Sequence, residues 1–105
     1  MSKKIPKNTK AKVGTGDEKY ILQLFVTGIL PNSARAIMNI NAICEKYLKG
    51  RYELEIIDIY QQPSLALTED VIAIPVLIKK FPLPEERLIG DLSNTERVLK
   101  GLQLV

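Results

Sequence analysis

The stretch Lys19-Tyr20-Ile21-Leu22-Gln23-Leu24-Phe25-Val26 is apolar on both of its alternating faces, and this limits the possible folds more than any other feature of the chain. Successive side chains of an extended strand point to opposite sides of its sheet. A strand that is apolar on both sides needs cover on both, which places it inside a sheet with helices above and below. With 105 residues, the chain holds one such layered domain. A body of this size buries roughly 60–65% of the surface its unfolded chain exposes, enough to fold without metals or disulfides.

The apolar run stops at Thr27-Gly28-Ile29-Leu30-Pro31-Asn32-Ser33, a loop in which Asn32 or Ser33 is placed to cap a helix. Ile37, Ile40, Cys44, Tyr47 and Leu48 then recur at helical spacing as one apolar stripe, with Cys44 read as a small core hydrophobe. Lys46 and Lys49 followed by Gly50 supply a C-terminal stop. Tyr52 to Tyr60 reads as a second strand. In it Leu54 and Ile56 share one face, and Glu53 and Glu55 take the other until Ile57 and Ile59 replace them. Strand, helix and strand form a βαβ unit with parallel strands. A short helix or single turn is expected over Leu65 to Asp70, then a third strand over Val76 to Lys79. The stiff turn Phe81-Pro82-Leu83-Pro84-Glu85 leads to a fourth strand over Arg87 to Gly90, antiparallel to the third. Ser93-Asn94-Thr95-Glu96 has the spacing of a capping box and opens a last helix that packs Val98, Leu99 and Leu102. The resulting order, β-α-β-α-β-β-α around a mixed four-stranded sheet flanked by helices, is a thioredoxin-like α/β arrangement.

Composition removes several functions. With no His and one Cys, the chain by itself cannot build a His-ligated metal site, a Ser-His-Asp triad or a Cys-x-x-Cys redox pair. The longest apolar run, Val71-Ile72-Ala73-Ile74-Pro75-Val76-Leu77-Ile78, is far below the ~18–20 residues of a membrane span. The basic N-terminus has no apolar stretch behind it, so it does not read as a secretory signal. One Cys gives no disulfide framework, which fits a cytoplasmic location. The net charge of +3 is unevenly placed: residues 1–16 carry Lys3, Lys4, Lys7, Lys10 and Lys12 with no acid, and the remainder is −2. Residues 1–16 therefore read as a disordered, lysine-rich tail ending near Gly14-Thr15-Gly16, and residues 17–105 as the single domain. The body has no basic stripe interleaved with aromatics, which argues against nucleic-acid binding.

In active thioredoxin-like enzymes the thiols sit in the loop after the first strand. Here that loop has no sulfur, so the scaffold is expected without its usual chemistry. Ile74-Pro75 stands where such folds carry a cis proline, with an ordinary trans proline at a strand start as the alternative. Asp58 and Asp91 close the second and fourth strands, where turn-forming roles are far commoner than acid–base catalysis. Glu69-Asp70 and Glu85-Glu86 read as solvated faces, with partner binding as the sharper alternative. No catalytic, metal or cofactor site is expected.

Several motifs occur together and in order. Thr27-Gly28-x-x-Pro31-Asn32-Ser33-x-Arg35-Ala36 follows the first strand, and Ile57-Asp58-Ile59 precedes Pro63. Ala73-Ile74-Pro75 and Ile89-Gly90-Asp91-Leu92-Ser93 complete the set. From about Lys19 to Val105 the chain resembles the KaiB family, small clock proteins of cyanobacteria with relatives in other bacteria. The resemblance implies a non-catalytic protein that binds the ATPase KaiC, recruits further partners and modulates ATP hydrolysis and phosphorylation. It also implies two accessible folds, a self-associating ground state of order β-α-β-β-α-α-β and a thioredoxin-like monomer competent for KaiC.

Carried over residue by residue, Arg35, Lys79 and Arg87 match positions used for partner contact, and Pro75 and Gly101 match positions of the switch. Glu55 and Asp70 stand where clock members carry lysines, a charge reversal that alters any complementary interface. Gln103 replaces an aspartate, and the chain ends at Val105, before the family's usual Tyr-Glu-Glu run and acidic tail. Both the switch and the family's tetramer are therefore expected to be altered, with a dimer or tetramer still open. The leading expectation is a regulator of a KaiC-like ATPase in a timing or environmental-response system. A diverged adaptor in stress adaptation that no longer binds KaiC comes second, and a thiol redox protein third.

Overall fold

In a computed structural model, which describes residues 18–28 and 30–105, the doubly apolar run becomes strand β1, Tyr20–Val26. It lies between β2, Tyr52–Asp58, and β3, Val76–Phe81, while β4, Glu86–Ile89, pairs with the far side of β3. β2 runs parallel to β1, with Leu22 opposite Leu54 and Leu24 opposite Ile56. β3 runs antiparallel to β1, with Leu24 opposite Leu77 and Phe25 opposite Val76, and β4 runs antiparallel to β3. The sheet is therefore mixed, as the sequence pattern predicts.

Helices α1, Pro31–Tyr47, and α3, Thr95–Gly101, cover the face that carries Leu22, Leu24, Leu77 and Leu88. The six-residue helix α2, Pro63–Thr68, partly covers the other face, where Phe25, Ile57, Val76 and Ile78 meet Leu65 and Ala66. Leu24, Phe25, Ile40, Cys44, Ile57 and Leu77 are wholly inaccessible to solvent. Each such apolar side chain the size of Leu, Ile or Phe contributes about 1.5–3 kcal/mol by leaving water. The sequential element order and the helical chain end are those of the thioredoxin-like arrangement, not of the β-α-β-β-α-α-β alternative. The lysine-rich tail over residues 1–16, the domain start at residue 17 and Ile29 of the loop lie outside the described residues.

Several local expectations are corrected. Asn32 and Ser33 do not cap α1: Pro31 is already helical and Leu30 is the N-cap, with no side-chain hydrogen bond. Proline suits that place because its missing N–H would have no helical partner. The buried stripe of α1 is Ser33, Ala36, Ile40, Ile43 and Cys44, so Tyr47 lies at its edge and is 36% exposed. Ile56 is also exposed, because β2 is an outer strand with no neighbour beyond it. The capping box at Ser93 and Glu96 does not form. Asn94 is the N-cap of α3, its Oδ1 accepting from the Arg97 N–H at 3.1 Å, while the Ser93 N–H donates to Asp91.

Replacing the Asn94 cap, Asn94→Ala, is expected to cost about 1 kcal/mol, a fall in Tm of roughly 4–8 °C for a domain of this size. Glu96→Gln removes only an exposed pair to Lys100 and is expected to stay within about 0.5 kcal/mol of the parent. Thermal and urea unfolding of the two variants would separate the observed cap from the capping box.

Candidate partner-binding site

The end of the sheet where β1 and β2 finish gathers most of the residues singled out in the sequence. There the chain leaves β1 through Thr27, whose N–H donates to Ser33 Oγ at 3.1 Å, fixing the start of α1 against the strand. Gly28 passes so near the end of β2 that a Cβ on it would lie 2.9 Å from Asp58 Oδ2. Asp58 itself turns the chain, Oδ1 accepting from the Tyr60 N–H at 2.8 Å. This is where thiols would act, and the described positions hold none. The single thiol, Cys44, is sealed under α1 with no accessible surface, and burial pushes its pKa up to about 12. It stays protonated and inert, a core side chain and not a nucleophile. No group of three or more Cys, Asp or Glu side chains among the described residues is placed to hold a metal ion.

The Ile74-Pro75 bond is cis, as are Phe81-Pro82 and Leu83-Pro84. Pro75 is buried, and its carbonyl accepts from the Gly90 N–H at 2.9 Å, joining the start of β3 to the end of β4. Beside it an open cleft of about 320 Å³ is lined by Asp70, Ile72, Ala73, Val76, Arg87 and Ile89. Asp70 lies at the end of α2 in the left-handed region, φ 57°. The Arg87 guanidinium donates to the carbonyls of Asp70 and Glu69 and lies 3.6 Å from Glu85, so it is held rigidly at the rim. Lys80 completes the network through Glu69 at 2.8 Å and Glu85 at 3.3 Å.

A second polar cluster lies where α1 begins and β4 ends. Arg35 is exposed on α1, with Nε 3.2 Å from Asp91 Oδ2, and its terminal nitrogen donates to Asn32 Oδ1. Asn39, one turn further along, donates to the Asp91 carbonyl at 2.8 Å. Hydrogen bonds from the hydroxyl and N–H of Ser93, then the bond from Arg35, hold the Asp91 carboxyl below its ordinary pKa. The turn-forming reading of Asp58 and Asp91 therefore describes their contacts.

Of the remaining sequence-selected residues, the structure places three elsewhere. Glu55 is exposed on the outer strand β2. Lys79 is buried on β3, 1% accessible, with Nζ donating to Gln103 Oε1 at 3.3 Å, and burial lowers its pKa. It cannot touch a partner without rearrangement. Gly101 ends α3 so close to β4 that a Cβ there would lie 2.7 Å from Leu88 Cδ2. Pro75 and Arg35 thus lie toward the end where β1 and β2 finish, Arg87 reaches Asp70 from the middle of the sheet, opposite Ile78, and Glu55, Lys79 and Gly101 do not join them. Asn39, Glu69 and Lys80 were missed; Asn39 was detectable, since it follows Arg35 by four residues and so shares its helical face.

With this geometry established, the chain was compared with known proteins. The KaiB domain family model matches residues 23–104. A circadian clock oscillator protein KaiB of Thermosynechococcus vestitus is 49% identical over 86 residues, covering 82% of this chain and 80% of that one. A circadian clock protein KaiB3 of Synechocystis is 46% identical over 87 residues, covering 83% and 85%. Among solved structures, the N-terminal domain of SasA from Synechococcus elongatus superposes with a TM-score of 0.69 at 22% identity, covering 100% of this chain and 96% of that domain. The thioredoxin Deadhead of Drosophila melanogaster gives a TM-score of 0.68 at 14% identity, covering 90% of each chain. These two likenesses establish the thioredoxin-like fold.

Cys44 is expected to resist alkylation by iodoacetamide in the native protein at pH 8 and to react fully after denaturation, read by mass spectrometry. For Asp91, a folded pKa below the unfolded value of about 3.9 means that its stabilising contribution is complete above that value and fades as pH falls through the folded pKa. Asp91→Asn is therefore expected to be less stable than the parent at pH 7, with the gap narrowing below about pH 4. Urea midpoints measured across pH 2.5–7 would test this.

Proposed function

The chain belongs to the KaiB family of clock regulators, which are not enzymes, and on that premise we propose that it acts by binding a KaiC-like ATPase. In this reading it modulates that ATPase in a bacterial timing or environmental-response system, in the cytoplasm. The observation that carries the reading is the end of the sheet itself. A thioredoxin-like scaffold with no sulfur at the described positions of the loop after β1 presents Arg35 at that end and Arg87 on the sheet beside the Pro75 cleft, each fixed by hydrogen bonds. Such a surface serves recognition, because preformed charged groups lose little freedom when they bind. Arg35 and Arg87 are the contact residues of this proposal, and Pro75 and Gly101 its conformational positions.

Glu55 and Asp70 set the expected specificity. Both are exposed carboxylates, and a partner surface that meets them offers basic groups. Lys79 contributes from within, by holding the chain end through Gln103. Those same two carboxylates favour a second reading, a thioredoxin-like adaptor that serves a different partner in stress adaptation.

Size-exclusion chromatography with light scattering tests the proposal, using the protein alone and mixed with the cognate KaiC-like ATPase and ATP. Co-elution is expected, and Arg35→Ala or Arg87→Ala should weaken it about tenfold, equivalent to 1.4 kcal/mol. Weakening by Glu55→Lys and Asp70→Lys would place the carboxylates in the interface. Absence of co-elution in every nucleotide state would overturn the proposal in favour of the adaptor. The mass of the protein alone would show whether it forms the dimer or tetramer.

A further inference from the structure

β4, Glu86–Ile89, ends the sheet, with no strand beyond it among the described residues. The Gly90 N–H donates inward to the Pro75 carbonyl, and Leu88 and Glu86 follow at intervals of two, opposite Leu77 and Lys79. Backbone groups of a strand alternate in direction, so Arg87 and Ile89 turn theirs away from β3. The Ile89 carbonyl accepts from Arg97 Nη1 at 3.2 Å and keeps a second lone pair. The Arg87 N–H and carbonyl and the Ile89 N–H face no strand at all. An open edge of this kind is a template for a further strand. Apolar surface adjoins it: Ile89 is 50% exposed and shares the Pro75 cleft with Ile72, which is 89% exposed.

The charges along the edge select its occupant. Glu86 opens β4 on the face that carries Leu88, and it has no ion pair among the described residues, since Lys79 opposite it turns to Gln103. Arg97 reaches the other end of β4 from α3, and its guanidinium likewise has no ion pair among the described residues. Two β4 strands placed antiparallel about a twofold axis at Leu88 set Glu86 of each chain beside Ile89-Gly90 of the other, and so beside its Arg97. The contact is isologous, so this pair forms twice. Arg87 of each chain then lies opposite Ile89 of the other, and their outward backbone groups pair with one another. Glu85 and Asp91 also approach, but each already has its cation, Lys80 at 3.3 Å and Arg35 at 3.2 Å. The opposite edge lacks this complementarity. Two β2 strands paired about Leu54 would set Glu53 of each copy against Glu55 of the other.

We propose that the β4 edge is a homodimer interface: two copies join edge to edge into one continuous sheet, with Glu86 of each chain bound to Arg97 of the other. An edge of four residues makes a small interface, so the dimer is weak and dissociates on dilution. Pairing covers Arg87, so the dimer and the complex with the ATPase exclude each other. That consequence rests on the function proposed above; the dimer itself does not.

Light scattering of the protein alone, over a range of concentrations, tests the proposal. The mass is expected to rise from one chain toward two between about 10 μM and 1 mM, the range of a weak, small interface. Ile89→Lys places a charge on the edge and is expected to raise the dissociation constant about tenfold or more, with the circular dichroism spectrum and Tm unchanged. Arg97→Glu sets a carboxylate against Glu86, so 0.5 M NaCl is expected to weaken the parent dimer and to strengthen that of the variant. Oxidation of mixed single variants reads the register. Arg87→Cys with Ile89→Cys is expected to cross-link, because Cα atoms directly opposite lie about 5.5 Å apart, whereas either variant alone holds its thiols out of register. Cys44 takes no part, being buried and protonated. A monomer at every concentration, a dimer untouched by Ile89→Lys, or equal cross-linking within either variant alone would overturn the proposal. None of these samples contains the ATPase, so failure here and failure of the proposed function are separate results.

Discussion

Strand β1 carries Leu22 and Leu24 toward α1 and α3 and Phe25 toward α2, all at 1% exposure or less, while pairing on both edges. That double burial dictates the rest. An inner strand with a parallel neighbour requires a crossover, and the seventeen residues of α1 provide it. The opposite edge takes the β3–β4 hairpin, and the helix that follows closes the larger core with Val98, Leu99 and Leu102. The Tyr20 hydroxyl, at the start of the same strand, donates to the Leu102 carbonyl at 3.0 Å. Strand β1 and the turn that ends α3 are thereby tied through one buried hydrogen bond.

The end of the sheet where β1 and β2 finish has no thiol at its described positions and uses its polar side chains on its own loops. Ser33 uses its hydroxyl on the backbone of Thr27, Gly28 passes close to Asp58, and Arg35 reaches Asp91 from the first turn of α1. Each of these fixes a loop to a neighbouring strand or loop. The polar side chains here are committed to holding loops in place, a structural role that the fold alone does not dictate.

The strand and helix order was legible because hydrophobic periodicity reports how many faces of an element are covered. β1 reads as doubly covered and is; Val98, Leu99 and Leu102 read as a packed face and are. The failures concern contacts between elements, which periodicity does not encode. Tyr47 fits the helical stripe by spacing, yet the stripe rotates toward Ile43 because Ala36 and Ile40 face the sheet. Ser93 and Glu96 satisfy a local capping formula, but Asp91 captures the Ser93 N–H first and the helix begins one residue later. Lys79 reads as the polar end of a strand, whereas the returning chain end buries it beneath Gln103. At the candidate site the arginines were visible as residue types, but their partners, Asp91 for Arg35 and the Glu69 and Asp70 carbonyls for Arg87, depended on tertiary contacts.

The two sides of the sheet are closed by very different means. The α1 and α3 side is packed hydrocarbon, continuous from Tyr20 to Leu102. On the other side α2 has no fully buried residue and is secured at its C-terminal end mainly by polar ties, Lys80 to Glu69 and Arg87 to the Glu69 and Asp70 carbonyls. These ties add to the apolar contacts that Leu65 and Ala66 make with the second core cluster. The sheet thus has one face sealed by hydrocarbon and another on which a small apolar cluster around Phe25 and Ile57 is framed by charge.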